Sequence, residues 1–105
     1  MTGKSRKEQL QEMLADDPKD PFLRYGLGME YVSEGNDEEA VRQFRALVAA
    51  TPDYVPAYQQ AGQALLRLGK PHDAQELLRA GIEAALKQGD QHAAGEMQEL
   101  LASLE

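Results

Sequence analysis

The chain has no cysteine, which removes disulfides, thiolate metal sites and cysteine nucleophiles from consideration and leaves its redox compartment open. It is also short of positive charge: 11 Lys and Arg stand against 18 Asp and Glu, a formal net charge of −7. Nucleic-acid affinity comes from cations that displace counterions along phosphates, so DNA, RNA and anionic membranes are poor partners for such a chain. No apolar run approaches the roughly 20 residues that span a bilayer. The opening "MTGKSRKEQL" carries charge with no apolar signal segment behind it, and a cytoplasmic location is expected. Catalytic signatures are missing as well: there is no nucleophile with a base at a suitable spacing, no phosphate-binding loop and no paired-acid arrangement. Neither an enzyme nor a cofactor is expected.

What remains is a globular mixture, 42% hydrophobic and 28% charged over 105 residues, enough for one modest core and one domain. The closing pair Leu104 and Glu105 has the form of an expression-vector scar, which leaves the native terminus open. Apolar residues recur at three and four positions in six segments, and no segment alternates as a strand would. The pattern predicts an all-α chain with helices at Lys4 to Ala15, Pro21 to Glu34, Asp37 to Ala50, Tyr54 to Leu68, Pro71 to Lys87 and Asp90 to Leu104. "DDPKDP" and "TPDYVP" supply caps and early prolines, while Gly35 and Gly69 stand just past helix ends, where a left-handed residue is needed. Asn36 or Asp37 caps the third helix, and Glu39 is placed for a capping box on Asn36.

The sequence then repeats. "YGLGMEYVSEGNDEEAVRQF" (Tyr25 to Phe44) aligns with "QQAGQALLRLGKPHDAQELL" (Gln59 to Leu78) at an offset of 34. Gly28 matches Gly62, Gly35 matches Gly69, Ala40 matches Ala74 and Ala46 matches Ala80. Reaching back, Leu10, Phe44 and Leu78 form one series, Leu14, Val48 and Ile82 another, and Pro18 precedes Pro52. A repeated helix pair of this length implies a solenoid, in which each unit leaves an apolar face open until its neighbour stacks on it. Gly28 facing Ala40, and Gly62 facing Ala74, would let the two helices of a unit approach closely.

These residues resemble the tetratricopeptide repeat. The first full copy supplies Leu27, Gly28, Tyr31, Gly35, Ala40, Phe44 and Pro52. The second keeps Gly62, Gly69 and Ala74, places Leu65 and Leu78 at the aromatic positions and Ala61 at the leucine, and has Leu86 where the closing proline belongs. The early aromatic of the first helix is Arg24 in one copy and Tyr58 in the other. The resemblance implies an α-solenoid of antiparallel helix pairs, about six helices in a right-handed superhelix. Residues 4–18 would form a partial repeat, 21–53 and 54–87 two full ones, and 90–104 a capping helix.

In that family the first helices of successive units line a concave groove. The matching residues are Phe22, Tyr25, Met29, Val32 and Ser33 on one helix, then Gln59, Gln63, Leu66 and Arg67, with Ala93, Met97 and Leu100 on the last. Aromatic and methionine anchors beside paired amides suit a protein or peptide partner. Phe22, Met97 and Leu100 serve equally well as core or cap packing. Some relatives grip a carboxylate with a lysine and an asparagine; Tyr25 and Met29 stand there, so a clamp of that design is not expected, and Arg67 is the one substitute charge. His72 with Glu76 and His92 with Glu96 lack a third ligand, and no metal site is expected. The competing reading is structural: Ala93, Met97, Leu100, Leu101 and Leu104 form a stripe suited to self-association or to further repeats, the chain being a monomer or weak homo-oligomer. An RNA-binding helical repeat would need a basic groove.

Overall fold

The computed structural model describes residues 3–104, so Glu105, half of the suspected scar, lies outside the described residues. Helices follow in the order α1 (Arg6–Asp16), α2 (Pro21–Ser33), α3 (Asp37–Ala50), α4 (Val55–Arg67), α5 (Pro71–Lys87) and α6 (Gln91–Ala102), and no strand occurs among the described residues. Helix α1 starts two residues later than the pattern predicts because Ser5 caps it. The Ser5 hydroxyl accepts from the Glu8 amide and the Glu8 carboxylate accepts from the Ser5 amide, both at 3.1 Å, a complete capping box. At α3 the cap is Asn36, whose side chain accepts from the Glu39 amide at 3.2 Å. Asp20 and Asp90 do the same for α2 and α6.

Helix ends come in two kinds. Helices α1 and α3 stop at Asp17 and Thr51, each pushed towards extended backbone (φ −137° and −134°) by the proline that follows. Helices α2 and α4 stop at Gly35 and Gly69, with φ of 76° and 73°. There the Asn36 amide reaches back to the Tyr31 carbonyl and the Lys70 amide to Leu65, both at 2.9 Å, closing the Schellman pattern. Helix α5 occupies the place of α3 yet ends in the second way, on Gly89 (φ 74°), with the Asp90 amide bonded to Ala85 at 2.9 Å. With Leu86 in place of a proline, the helix runs past the point where α3 stops. Helices α2 and α4 begin at residues 21 and 55, a spacing of 34, but α6 begins at residue 91, a spacing of 36.

Each helix packs chiefly on the next in sequence, and α4 also touches α6. The radius of gyration is 14.2 Å, with extents of 50 × 29 × 20 Å. A rounded chain of this length would measure about 13 Å, so the helices stack along one direction. The main core joins α3, α4, α5 and α6 through fully buried Phe44, Leu47, Leu78 and Met97. A smaller cluster of Leu10, Leu14 and Leu27 fastens α1 to α2.

The glycine sites behave as the repeat requires, with a different partner. A Cβ built on Gly28 would lie 2.4 Å from Cε1 of Phe44, and one on Gly62 would lie 2.8 Å from Cδ2 of Leu78. The nearest atoms therefore belong to residues one helical turn beyond Ala40 and Ala74. Those alanines are fully buried, but it is the large side chains of Phe44 and Leu78 that occupy the space each glycine vacates. The mismatch of Arg24 with Tyr58 also has a physical meaning. Arg24 donates to the carbonyl of Pro18 at 3.4 Å and Tyr58 to that of Pro52 at 2.7 Å, so two unlike side chains tether equivalent loops, the one before α2 and the one before α4.

Candidate peptide-binding face

The first helices of successive units are α2, α4 and α6, and of these α4 and α6 touch. On α2, Phe22 lies in the first turn, just past the Asp20 cap, and remains 68% exposed. Tyr25, Met29 and Val32 follow at helical spacing but are half-buried against the core. Tyr25 is stacked on Tyr54, with ring centroids 5.4 Å apart, and tilted against Phe44 at 5.7 Å. Burial, and secondarily Tyr54, push its phenol above the ordinary tyrosine range, while a hydrogen bond with Gln60 acts the other way. Tyr25, expected at the groove, thus also fastens α2 to α3 and to the start of α4. Ser33 is exposed at the far end of α2.

On α4, Gln59 and Gln63 are half-buried, and Leu66 packs on the core. Arg67 is not available as a stray charge. Its Nε and Nη2 donate to the two carboxylate oxygens of Asp37 at 3.0 and 2.9 Å, a bidentate pair joining the end of α4 to the start of α3. That hydrogen bond holds the guanidinium above its usual range. Fork-to-fork geometry makes such a pair firmer than a single contact.

Helix α6 brings a correction. Met97 was placed in the groove by carrying the offset of 34 onward from Gln63. It is fully buried, and its sulfur lies 2.7 Å from where a Cβ on Gly81 would stand. Two additional residues rotate a helix by about 200°, which turns the expected face inward. At the observed spacing of 36, Gln59 and Gln63 correspond to Gly95 and Glu99. Consistent with this, a hollow of about 390 Å³ between α4 and α6 is lined by Gln59, Gln63, Glu96, Glu99, Leu100 and Ser103. Of the three α6 residues expected at the groove, Leu100 alone borders this hollow; Ala93 is half-buried against the core. Glu96, Glu99 and Ser103 were missed. The signal that locates them is the pair Gly89–Asp90, a helix stop and the next cap, which together set the phase of α6. The apolar stripe proposed for self-association is likewise largely used up: Ala93, Met97, Leu100 and Leu104 pack on the chain's own core.

His92 lies 3.4 Å from Glu96, and among the described residues no group of three His, Cys, Asp or Glu side chains is placed to hold a metal ion. Among them, too, no helix is long and apolar enough to cross a membrane.

Stacked helix pairs with capped ends and a face built from first helices define a helical-repeat solenoid. Comparison with known proteins says which kind. Tetratricopeptide repeat models match residues 7–62 and 55–88. The "TPR repeat-containing protein PA0015" of Pseudomonas aeruginosa is 31% identical over 98 residues, 93% of each chain. A solution structure of a tetratricopeptide repeat domain protein from Salinibacter ruber superposes with a TM-score of 0.78 at 36% identity, over 84% of this chain and 89% of that one. The solution structure of protein BPP2914 from Bordetella parapertussis gives 0.82 at 29% identity, over 97% and 89%. The chain belongs to the tetratricopeptide repeat family. Its repeats are generally protein–protein interaction modules, and the family typically serves as scaffold without catalysis.

Proposed function

We propose that this chain is a single binding domain that receives a peptide or protein segment along the face formed by α2, α4 and α6. The observation that carries the reading is the hollow between α4 and α6, bordered by the amides of Gln59 and Gln63; Phe22, in the first turn of α2, is an exposed aromatic ring. Primary amides carry two donors and an acceptor each, and so can pair with the backbone of a partner strand. An exposed aromatic ring supplies buried area once it is covered. Phe22, Gln59 and Gln63 are the residues assigned to contact the partner. Tyr25, Met29, Val32 and Leu66 support the face from beneath, and Arg67 braces its edge. The domain acts in the cytoplasm and as a monomer.

Amide chemical shifts recorded while decapeptides of varied sequence are titrated in test the assignment. Shifts should cluster on α2, α4 and α6, and the Gln59→Ala, Gln63→Ala double variant should weaken binding by about fivefold or more, the worth of a hydrogen bond or two. Shifts confined to α3 and α5 would overturn it.

A further inference from the structure

The hollow between α4 and α6 also indicates the charge of its occupant, an inference that rests on the function just proposed. We propose that the segment received there is cationic, and that one of its Lys or Arg side chains enters this hollow. Glu96 and Glu99 lie three residues apart on α6, so both carboxylates fall on the side that faces Gln59 and Gln63. No lysine or arginine lines the hollow. Among the described residues, the one ionisable side chain paired with Glu96 is the highly exposed imidazole of His92 at 3.4 Å, and Glu99 makes no ion pair. The cation nearest in sequence on α4, Arg67, is already gripped by both oxygens of Asp37. Other cations are sorted elsewhere: Arg42, Arg45 and Lys70 border a separate hollow between α3 and the α4–α5 turn.

An incoming anion would therefore meet two carboxylates without compensation, whereas a guanidinium would find acceptors in both carboxylates and in the amide oxygens of the two glutamines. The net charge of −7 draws a cationic segment in from a distance. The local arrangement is what would select where it docks.

The probes are three acetylated decapeptides of alanine and leucine that differ only at two positions: both arginine, both citrulline, or both glutamate. Citrulline keeps the shape of arginine and removes its charge. The arginine peptide should bind at least tenfold tighter than the citrulline peptide, with amide shifts at Gly95, Glu99 and Ser103 and at the Gln59 and Gln63 side chains. That advantage should vanish in the Glu96→Gln, Glu99→Gln variant. It should persist in Asp16→Asn, Glu38→Gln, which has the same net charge but alters exposed carboxylates on α1 and α3. Equal loss in both variants would mean diffuse attraction and would overturn the proposal. So would tighter binding of the citrulline or glutamate peptide on the α2–α4–α6 face, a result that leaves the peptide-binding function standing. If none of the three peptides moves that face, both the proposal and the function beneath it fall.

Discussion

Gly28 is the residue at which sequence and packing meet most closely. A methyl group there would press on the rigid ring of fully buried Phe44 at 2.4 Å, whereas at Gly62 it would meet Cδ2 and Cγ of Leu78 at 2.8 and 2.9 Å, a milder overlap with a side chain that is not a rigid ring. Gly28→Ala is expected to destabilise the fold by about 1 to 3 kcal/mol, and Gly62→Ala by less, although alanine is the better helix former at both sites. Urea midpoints of the two variants check the order. The repeat pattern told that both positions must be small; it did not tell against which side chain, because a series of aligned residues carries no direction across the helix pair. Tyrosines make a second point at this scale. Tyr25, Tyr54 and Tyr58 are all held above the ordinary range, in each case chiefly by burial. A phenol harder to ionise when folded contributes stability that is intact below the unfolded value of about 10 and is lost as pH rises from there through the higher folded value. Lys7, raised mainly by its hydrogen bond to Glu34, weakens over the same alkaline range. The tyrosine part is therefore read as the difference between the native chain and Tyr25→Phe, whose urea midpoint should fall less steeply between pH 8 and pH 10.5.

Helix α5 is where the repeat rule stops holding, and its length decides what α6 presents. Motif matching treats Leu86 as a missing proline and suggests that Leu86→Pro would restore the family pattern. The structure predicts the opposite: α5 runs to Lys87, so a proline at residue 86 loses a helical hydrogen bond and clashes with the turn before it, costing about 3 kcal/mol. Thermal unfolding of Leu86→Pro measures this directly. Most of the architecture was legible in the sequence: six helices, the Asn36 cap of α3, and the close approach marked by Gly28 and Gly62; the Ser5 cap of α1 was not, the Glu39 half of a box on Asn36 does not form, and α4, expected to be capped from "TPDYVP", has no side-chain cap. Met97 was misplaced for one reason. A face assignment is a phase, and phase carried by counting fails once a helix gains residues. The Gly89–Asp90 stop-and-cap pair held the correct phase all along; it set the expected start of the sixth helix but, belonging to no repeated series, was not used to place that helix's faces. The contacts of Tyr25 and Arg67 were missed for another reason: their partners, Tyr54 and Asp37, stand 29 and 30 residues away, and no spacing rule links them.

For the whole molecule the governing fact is that contacts run from each helix to the next, with only α4 and α6 notably meeting across a gap. Strength is accordingly local: α1 rests on α2 and the turn after it, through Leu10, Leu14 and Leu27, the Lys7–Glu34 and Arg6–Glu30 ion pairs and Lys7 over the Tyr31 ring. The face proposed for binding inherits this arrangement, since α4 and α6 rest on the large core while α2 bridges to the small one. Such a chain, drawn apart by its two ends, has no distant clasp that must break first. It would give way like a row of folded hinges, the lightly held α1 letting go before the rest, so that under tension the molecule lengthens in small instalments.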